Sequence, residues 1–595
     1  MFQSFVVQSS PEQGPPRLEA LRAAMAAEGL DVFLVPRADA HQGEYVAPHD
    51  ARLAWLTGFT GSAGFCAVTL HRAGVFIDGR YRVQVRNEVA DIFTPVHWPE
   101  TGLADWLKAD GSVATVGYDG WLHTMREIET LERDLPKVEL RAVDNLVDRI
   151  WEDQPAPPPA RFFAHPDELA GEGHAAKRKR LGESLQADAA VITLPDSIAW
   201  LLNIRGKDIE RNPVPHAFAI LHRDGTVDLF CRAGKAEDVQ AHLGPDVRVH
   251  EDSLFLPALE ALTGRVQVDP ASCPAVLGAR LRAAGKSLIE ARDPCVLPKA
   301  RKNDTEIANM RVAHDRDAAA MVRFLAWLDA TAPLGGLTEI DVVTALEGFR
   351  AQTNALKDIS FETICGAGPN GAIVHYRVSE KSNRPVQVGE LLLVDSGGQY
   401  LDGTTDITRT VAIGAVGEDE RVCYTRVLQG MIAISRIRFP RGVGGQHLDT
   451  LARAPLWLAG QDYDHGTGHG IGSYLCVHEG PQGISRRSEV ALEEGMILSN
   501  EPGYYREGAF GIRIENLIVT VKAPPLEGAD ARDMLAFETL TFVPLDRRLI
   551  VKELLSSAEI DWIDAYHAEV QRRVAPRLDN VTKEWLDWAC APLCD

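Results

Sequence analysis

The chain has 595 residues, enough for roughly three or four domains at ~100–200 residues each. Its composition, 45% hydrophobic and 25% charged, is that of an ordinary globular protein. A net charge of −22, from 62 Lys+Arg against 84 Asp+Glu, repels phosphate backbones and anionic lipid, so neither nucleic acid nor a membrane surface is expected as a partner.

The N-terminus has no basic start and no long apolar core, so no secretory signal is expected. No stretch approaches the ~20 apolar residues of a membrane span. Nine cysteines, an odd number without a CxxC pair, predict reduced thiols and cytoplasmic residence. Cys590 and Cys594 read as unpaired surface or packing thiols.

Helical periodicity runs from about Pro16 to Leu30, with Leu18, Leu21 and Met25 on one side. Val32–Val35 then reads as a buried strand closed by Pro36, and Phe65–Val68 and Val75–Ile77 as further strands. Residues 153–159 are proline-rich and stiff, and a domain boundary is expected there. A basic helix around Lys177 to Leu185 opens a second unit that echoes the first. Ala54-Trp55-Leu56 leads through a glycine loop to Phe65–Val68, and Ala199-Trp200-Leu201 leads through Arg205-Gly206 to Ala217–Ile220. A strand ending in proline, at Pro36 and at Pro195, precedes each. This predicts two copies of one α/β unit, about 145 residues apart.

Near Pro298 a long helix begins, with Asp304 as its expected N-cap. Ile307, Met310, Val312, Ala313, Ala320, Met321, Phe324, Leu325 and Leu328 form its apolar side. From there to about residue 550, strands, glycine turns and helices alternate. Residues 551–595 are helical in pattern, with Trp562, Trp585 and Trp588, and read as a tail packed on its own domain or on a partner subunit.

Five segments between 391 and 516 carry candidate chemistry. Asp395 follows four aliphatic residues at a strand end. A carboxylate partly buried there needs a cation, although alone it reads as a turn residue before Gly-Gly. Alternation puts Asp402, Thr404, Asp406 and Thr408 on one strand face, and a hairpin centred on the Tyr400–Leu401 bond would set Asp406 opposite Asp395. Asp402-Gly403 competes as the stronger turn signal. His465, His469 and His478 fall within fourteen positions in a glycine-rich frame, which favours ligand or catalytic roles over packing. Glu501 precedes Pro-Gly. In 511–516, alternation buries Ile512 and Ile514 and pairs Arg513 with Glu515 on the other face, where a surface ion pair is the plain expectation. Together the segments supply four carboxylates and a histidine and no thiolate, a donor set suited to a pair of Mn²⁺, Co²⁺, Fe²⁺ or Zn²⁺ ions.

The order and local context of Asp395, Asp406, His469, Glu501 and Glu515 resemble the metal ligands of the pita-bread metallopeptidases. The segments VDSGGQYLDGTTDITRT, HGTGHGIGSYLCVHEGP and SNEPGYY, with DAHQGEYVAP and AWLLNIRGKDIERNPV, resemble the long three-domain aminopeptidase P branch from about residue 16 to 581. Met1–Pro15 and Thr582–Asp595 match nothing assigned. The resemblance implies a mixed α/β and α+β architecture. Two creatinase-like domains (1–153 and 160–298) precede a pita-bread catalytic domain with a curved antiparallel sheet (299–550) and a helical tail (551–595). It implies a homodimer, a preference for Mn²⁺, and peptide substrates with proline at position two. It assigns His375 and His478 to substrate binding, His465 and Arg513 to the active site, and Arg80 to substrate contact from the N-terminal domain.

The expected mechanism places Asp395 and Asp406 on one metal and His469 and Glu501 on the other, with Asp406 and Glu515 bridging. A hydroxide between the metals attacks, Glu501 takes the proton, and His375 and His478 steady the carbonyl oxygen. Prolidase, methionine aminopeptidase and a metal-free binding module are the alternatives. The duplicated leading domain and the complete ligand set argue against them.

Overall fold

In a computed structural model that describes residues 1–111 and 113–593, the chain divides into two units. One is Gln8–Lys299. The other comprises Met1–Val7 and the chain from Ala300 onward. Cys590 is a free, buried thiol, whereas Cys594, with Ser112 and Asp595, lies outside the described residues. No helix among the described residues is long and apolar enough to cross a membrane.

The Gln8–Lys299 unit holds, among the described residues, two six-stranded sheets with one topology. In the first, the order is Thr94–His97, Ala73–Ile77, Phe65–Thr69, Val32–Pro36, Thr115–Tyr118, Glu139–Ala142. In the second it is Val247–Glu251, Val227–Cys231, Phe218–His222, Ala189–Ile192, Arg265–Val268, Ser287–Glu290. Each sheet runs parallel, antiparallel, antiparallel, parallel, parallel along that order. The repeated Trp-Leu segments are the short helices Arg52–Thr57 and Pro195–Leu202. Pro195 does not close a strand as Pro36 does. The strand stops at Ile192, and Pro195 opens the helix, where its missing N–H costs nothing.

In the other unit the long helix is Asp304–Thr331, and its N-cap is Asn303 rather than Asp304. The Asn303 side chain accepts from Glu306 N at 3.0 Å while Glu306 accepts from Asn303 N at 3.0 Å. That box needs an acid three residues on, which Asn303 has and Asp304 lacks. The helix buries Met310, Ala313, Asp317, Ala320, Met321, Phe324, Leu325 and Leu328 at three- and four-residue spacing. Val312 falls between those rows and is 53% exposed, contrary to expectation.

Among the described residues, the strand pairs of this unit are antiparallel. Its six-stranded sheet runs Arg438–Pro440, Met534–Thr539, Asn516–Lys522, Ile497–Asn500, Gly468–Gly470, Glu479–Ile484. Beside it stand a three-stranded sheet of Ile364–Ala367, Leu391–Ser396 and Ile407–Ala412 and the pair Gly503–Arg506 and Phe510–Arg513. One core joins the three-stranded sheet and this pair to the helices Asp304–Thr331, Glu418–Arg436 and Ser557–Val574. The C-terminal helices pack on this same core, through Ile563, Tyr566, Val570 and Leu586.

Candidate metal centre

The strands Leu391–Ser396 and Ile407–Ala412 bring the first two acids together, but not in the predicted register. Asp395 faces Thr408, and Tyr400 pairs with Gly403, so the turn is Leu401-Asp402. The turn sits there because Tyr400 is buried, its hydroxyl donating to Asp317 at 2.6 Å, while Arg316 holds the Asp402 carboxylate at 2.6 and 2.9 Å. Asp406 lies two residues before Thr408 and so stays on the face of Asp395, diagonal to it rather than opposite.

Glu515 enters from the neighbouring chain segment and accepts from Thr408 Oγ1 at 2.7 Å, while its N–H donates to the Thr408 carbonyl at 3.2 Å. His469 Nε2 lies 3.6 Å from Asp406 Oδ2 and 3.3 Å from Glu501 Oε1. One donor atom each from Asp406, His469 and Glu515 fall within 4.8 Å of one another. The glycines around His469 permit this approach. A Cβ at Gly468 would meet the Ser499 carbonyl at 2.0 Å, and one at Gly470 the Glu479 carbonyl at 2.2 Å. The ring is aimed by its Nδ1, 3.0 Å from the Gly470 carbonyl, which leaves Nε2 toward the acids. Ser499 Oγ accepts from His469 N at 2.9 Å and donates to Glu501 at 3.0 Å, joining two of the predicted ligands.

Asp395, Asp406 and Glu515 are 8%, 3% and 1% exposed. Burial, then the charges of Glu515, Asp395 and Glu501, push the Asp406 carboxyl well above its usual range. Burial and the same neighbours raise Glu515 well above its range, and burial above all raises Glu501 to about 7. Asp395 Oδ1 and Asp406 Oδ1 are buried without a hydrogen-bond partner. Four carboxylates so placed cannot all ionise without added positive charge. Hard oxygens, one imidazole and unsatisfied lone pairs fit divalent cations.

Arg513 contradicts the expected surface pair. It is buried, as is Glu515, and its guanidinium grips Asp395 Oδ2 at 2.6 and 3.1 Å. Both faces of this segment are covered, so alternation could not separate an inner from an outer side. Arg513 also donates to Tyr505 Oη at 2.5 Å, and that hydroxyl lies 2.8 Å from His465 Nε2. An unbroken chain thus runs from Asp395 to His465. Tyr505 was not predicted; its only trace in the sequence is its place four residues after Glu501 in a short hairpin. The His478 ring stands edge-on to His469 at 4.2 Å. His375 follows Val374, whose carbonyl accepts from Arg513 Nη2 at 3.3 Å, so its loop reaches the same cluster. Arg80 belongs to the Gln8–Lys299 unit, in the turn Gly79–Tyr81, where it pairs with Asp78 at 2.7 Å.

Comparison with known proteins agrees with this geometry. Residues 308–522 match the family model described as metallopeptidase family M24, and 533–593 match the C-terminal region of peptidase M24. Residues 17–150 and 153–306 each match a creatinase/prolidase N-terminal domain. A probable Xaa-Pro aminopeptidase P of Aspergillus niger is 39% identical, covering 97% of this chain and 98% of its own. Aminopeptidase P2 of Arabidopsis thaliana is 38% identical over 94% of this chain and 85% of its own. The crystal structure of X-prolyl aminopeptidase from Caenorhabditis elegans, described as a cytosolic enzyme with a di-nuclear active site, superposes with a TM-score of 0.93. It shares 33% identity over 98% of this chain and 100% of that one.

Fold and site together define an M24 metallopeptidase carried behind two creatinase-type domains. Within that class, the chain belongs to the three-domain aminopeptidase P family.

Proposed function

We propose that this chain removes the first residue from peptides whose second residue is proline, using two divalent cations: Mn²⁺ foremost, with Co²⁺, Zn²⁺ or Fe²⁺ as alternatives. The observation that carries the reading is the close set of four carboxylates around His469, three of them buried and offset by the single charge of Arg513. Asp395 and Asp406 would hold one ion, His469 and Glu501 the other, with Asp406 and Glu515 shared. When bound, such a pair supplies a hydroxide nucleophile at neutral pH and Lewis-acid polarisation of the scissile carbonyl.

The protein's own groups do the rest. Glu501, beside His469 and joined to it through Ser499, is the carboxylate placed to take up and return the proton. His375 and His478 hydrogen-bond the carbonyl oxygen as its negative charge grows. Arg513, through Asp395 and Tyr505, fixes one edge of the centre and the ring of His465. Arg80 holds substrate from the N-terminal domain. A penultimate proline makes the scissile bond a tertiary amide with no N–H to donate and a fixed φ, so a site shaped to that ring selects it. We assign the catalytic part to 299–550, the creatinase-like domains to 1–153 and 160–298, and the helical tail to 551–595. The working state is taken as a cytoplasmic homodimer.

The test is a Mn²⁺-titrated assay of metal-free protein on Arg-Pro-Pro, Arg-Ala-Pro and the dipeptide Arg-Pro. Metal-dependent turnover of Arg-Pro-Pro, with little of Arg-Ala-Pro, is expected. Equal cleavage of Arg-Ala-Pro, or cleavage of the dipeptide alone, contradicts the reading.

A further inference from the structure

The histidine loop is glycine-rich, and glycine loses more conformational freedom on ordering than any other residue. Something must hold it, and the holding groups lie outside the predicted site. Helix Gly445–Trp457 carries Asp449 and Arg453 one turn apart, both buried, with Arg453 Nε donating to Asp449 Oδ2 at 2.7 Å. Arg453 Nη1 donates to Asp462 at 2.8 Å and to the Tyr463 carbonyl at 2.7 Å, and Nη2 to the His465 carbonyl at 2.7 Å. The guanidinium also lies 3.9 Å from the Tyr463 ring centre. The other oxygen of Asp449 accepts from Thr467 Oγ1 at 2.6 Å, and the Tyr463 hydroxyl meets Thr467 Oγ1 at 2.5 Å. The Thr467 carbonyl in turn accepts the Glu501 N–H at 2.8 Å.

We infer that Asp449 and Arg453 are positioning residues for one half of the metal centre. Through the His465 carbonyl and Thr467 they set the segment that presents His469 and the backbone of Glu501, while the Asp395 carboxylate is gripped directly by Arg513, which meets this network through Tyr505 and the His465 ring. The planar fork of arginine is required, because four acceptors are met in fixed directions that an ammonium group cannot reproduce. The inference rests on the two-cation reading above.

The test is Mn²⁺ titration calorimetry on metal-free wild type, Arg453→Lys and Thr467→Val, with circular dichroism and thermal midpoints alongside. Wild type binds two Mn²⁺ per chain. Each folded variant keeps one site at wild-type affinity and loses about 10–100-fold at the other. Its kcat falls while KM stays within about threefold. Thr467→Val replaces the hydroxyl with a methyl of similar size, removing its bonds to Asp449 and Tyr463, and it decides the matter if Arg453→Lys does not fold. A folded Thr467→Val with two wild-type sites overturns the inference alone. A wild type that binds no Mn²⁺ overturns the two-cation reading and the inference with it.

Discussion

Two groups of buried acid lie in the same unit and are balanced in opposite ways. Asp317, on the long helix, is buried, which alone would raise its carboxyl. Arg350 reaches it at 2.8 and 3.1 Å and Tyr400 at 2.6 Å, and together they hold it below its usual range. Asp406, equally enclosed, is pushed well above the usual range, because burial is reinforced by Glu515, Asp395 and Glu501. Arg513 faces that cluster and grips Asp395. Three buried acids of this unit each have a cation built in: Asp317 has Arg350, Glu479 has Lys302, and Asp449 has Arg453. Around Asp406, by contrast, four carboxylates gather against the single charge of Arg513, a charge deficit at equal burial.

The largest test of this contrast is on turnover. Asp406→Asn should lower Arg-Pro-Pro hydrolysis with Mn²⁺ present by about a thousandfold or more, some ~4 kcal/mol in the transition state. Near-normal turnover would mean the deficit has no catalytic purpose.

The same Asp-to-Asn change should act on stability with opposite sign at the two places. Asp317→Asn strands the buried Arg350 and should cost ~3–5 kcal/mol in urea unfolding. In metal-free protein, Asp406→Asn should stabilise, because it removes one of the acids that repel each other.

A pH series sharpens the point. Glu501 has a folded value of about 7 against 4.5 for the free side chain, so its protonated form is favoured by folding. That contribution is fully present below about pH 4.5 and is lost as pH rises through about 7. Thermal midpoints of metal-free protein should therefore fall between pH 5 and 8, and Mn²⁺ should restore the midpoint most at the upper end. A midpoint that rises across this window would contradict the assignment.

The smallest effect is expected at Arg80, remote in sequence from the acids. Arg80→Ala should raise KM several-fold with kcat little changed, as loss of uniform substrate binding does.

The acids and histidines were readable because each sits in a short run whose chemistry makes little sense alone, such as Asp395 after four aliphatics or His469 between glycines. The duplicated sheets were readable because the Trp-Leu helix and the strand after it recur in one order. What was not readable depended on neighbours distant in sequence. The turn moved by one residue, and the pairing with it by two, because Tyr400 and Asp402 are anchored on the long helix, a contact no local turn preference encodes. The burial of Arg513 and Glu515 escaped because alternation separates two faces but does not say that both are covered. Tyr505 and Arg453 act through backbone carbonyls and hydroxyls that only the fold brings within reach. The Asp449–Arg453 spacing of four was the one hint of the latter.

The central claim is that the five side chains of Asp395, Asp406, His469, Glu501 and Glu515 share two cations. An anomalous difference map from crystals soaked in Mn²⁺ addresses it directly. The account predicts two peaks ~3.5–4 Å apart, enclosed by those five residues. A map with no peak there at saturating Mn²⁺, or with manganese bound only elsewhere, would contradict it.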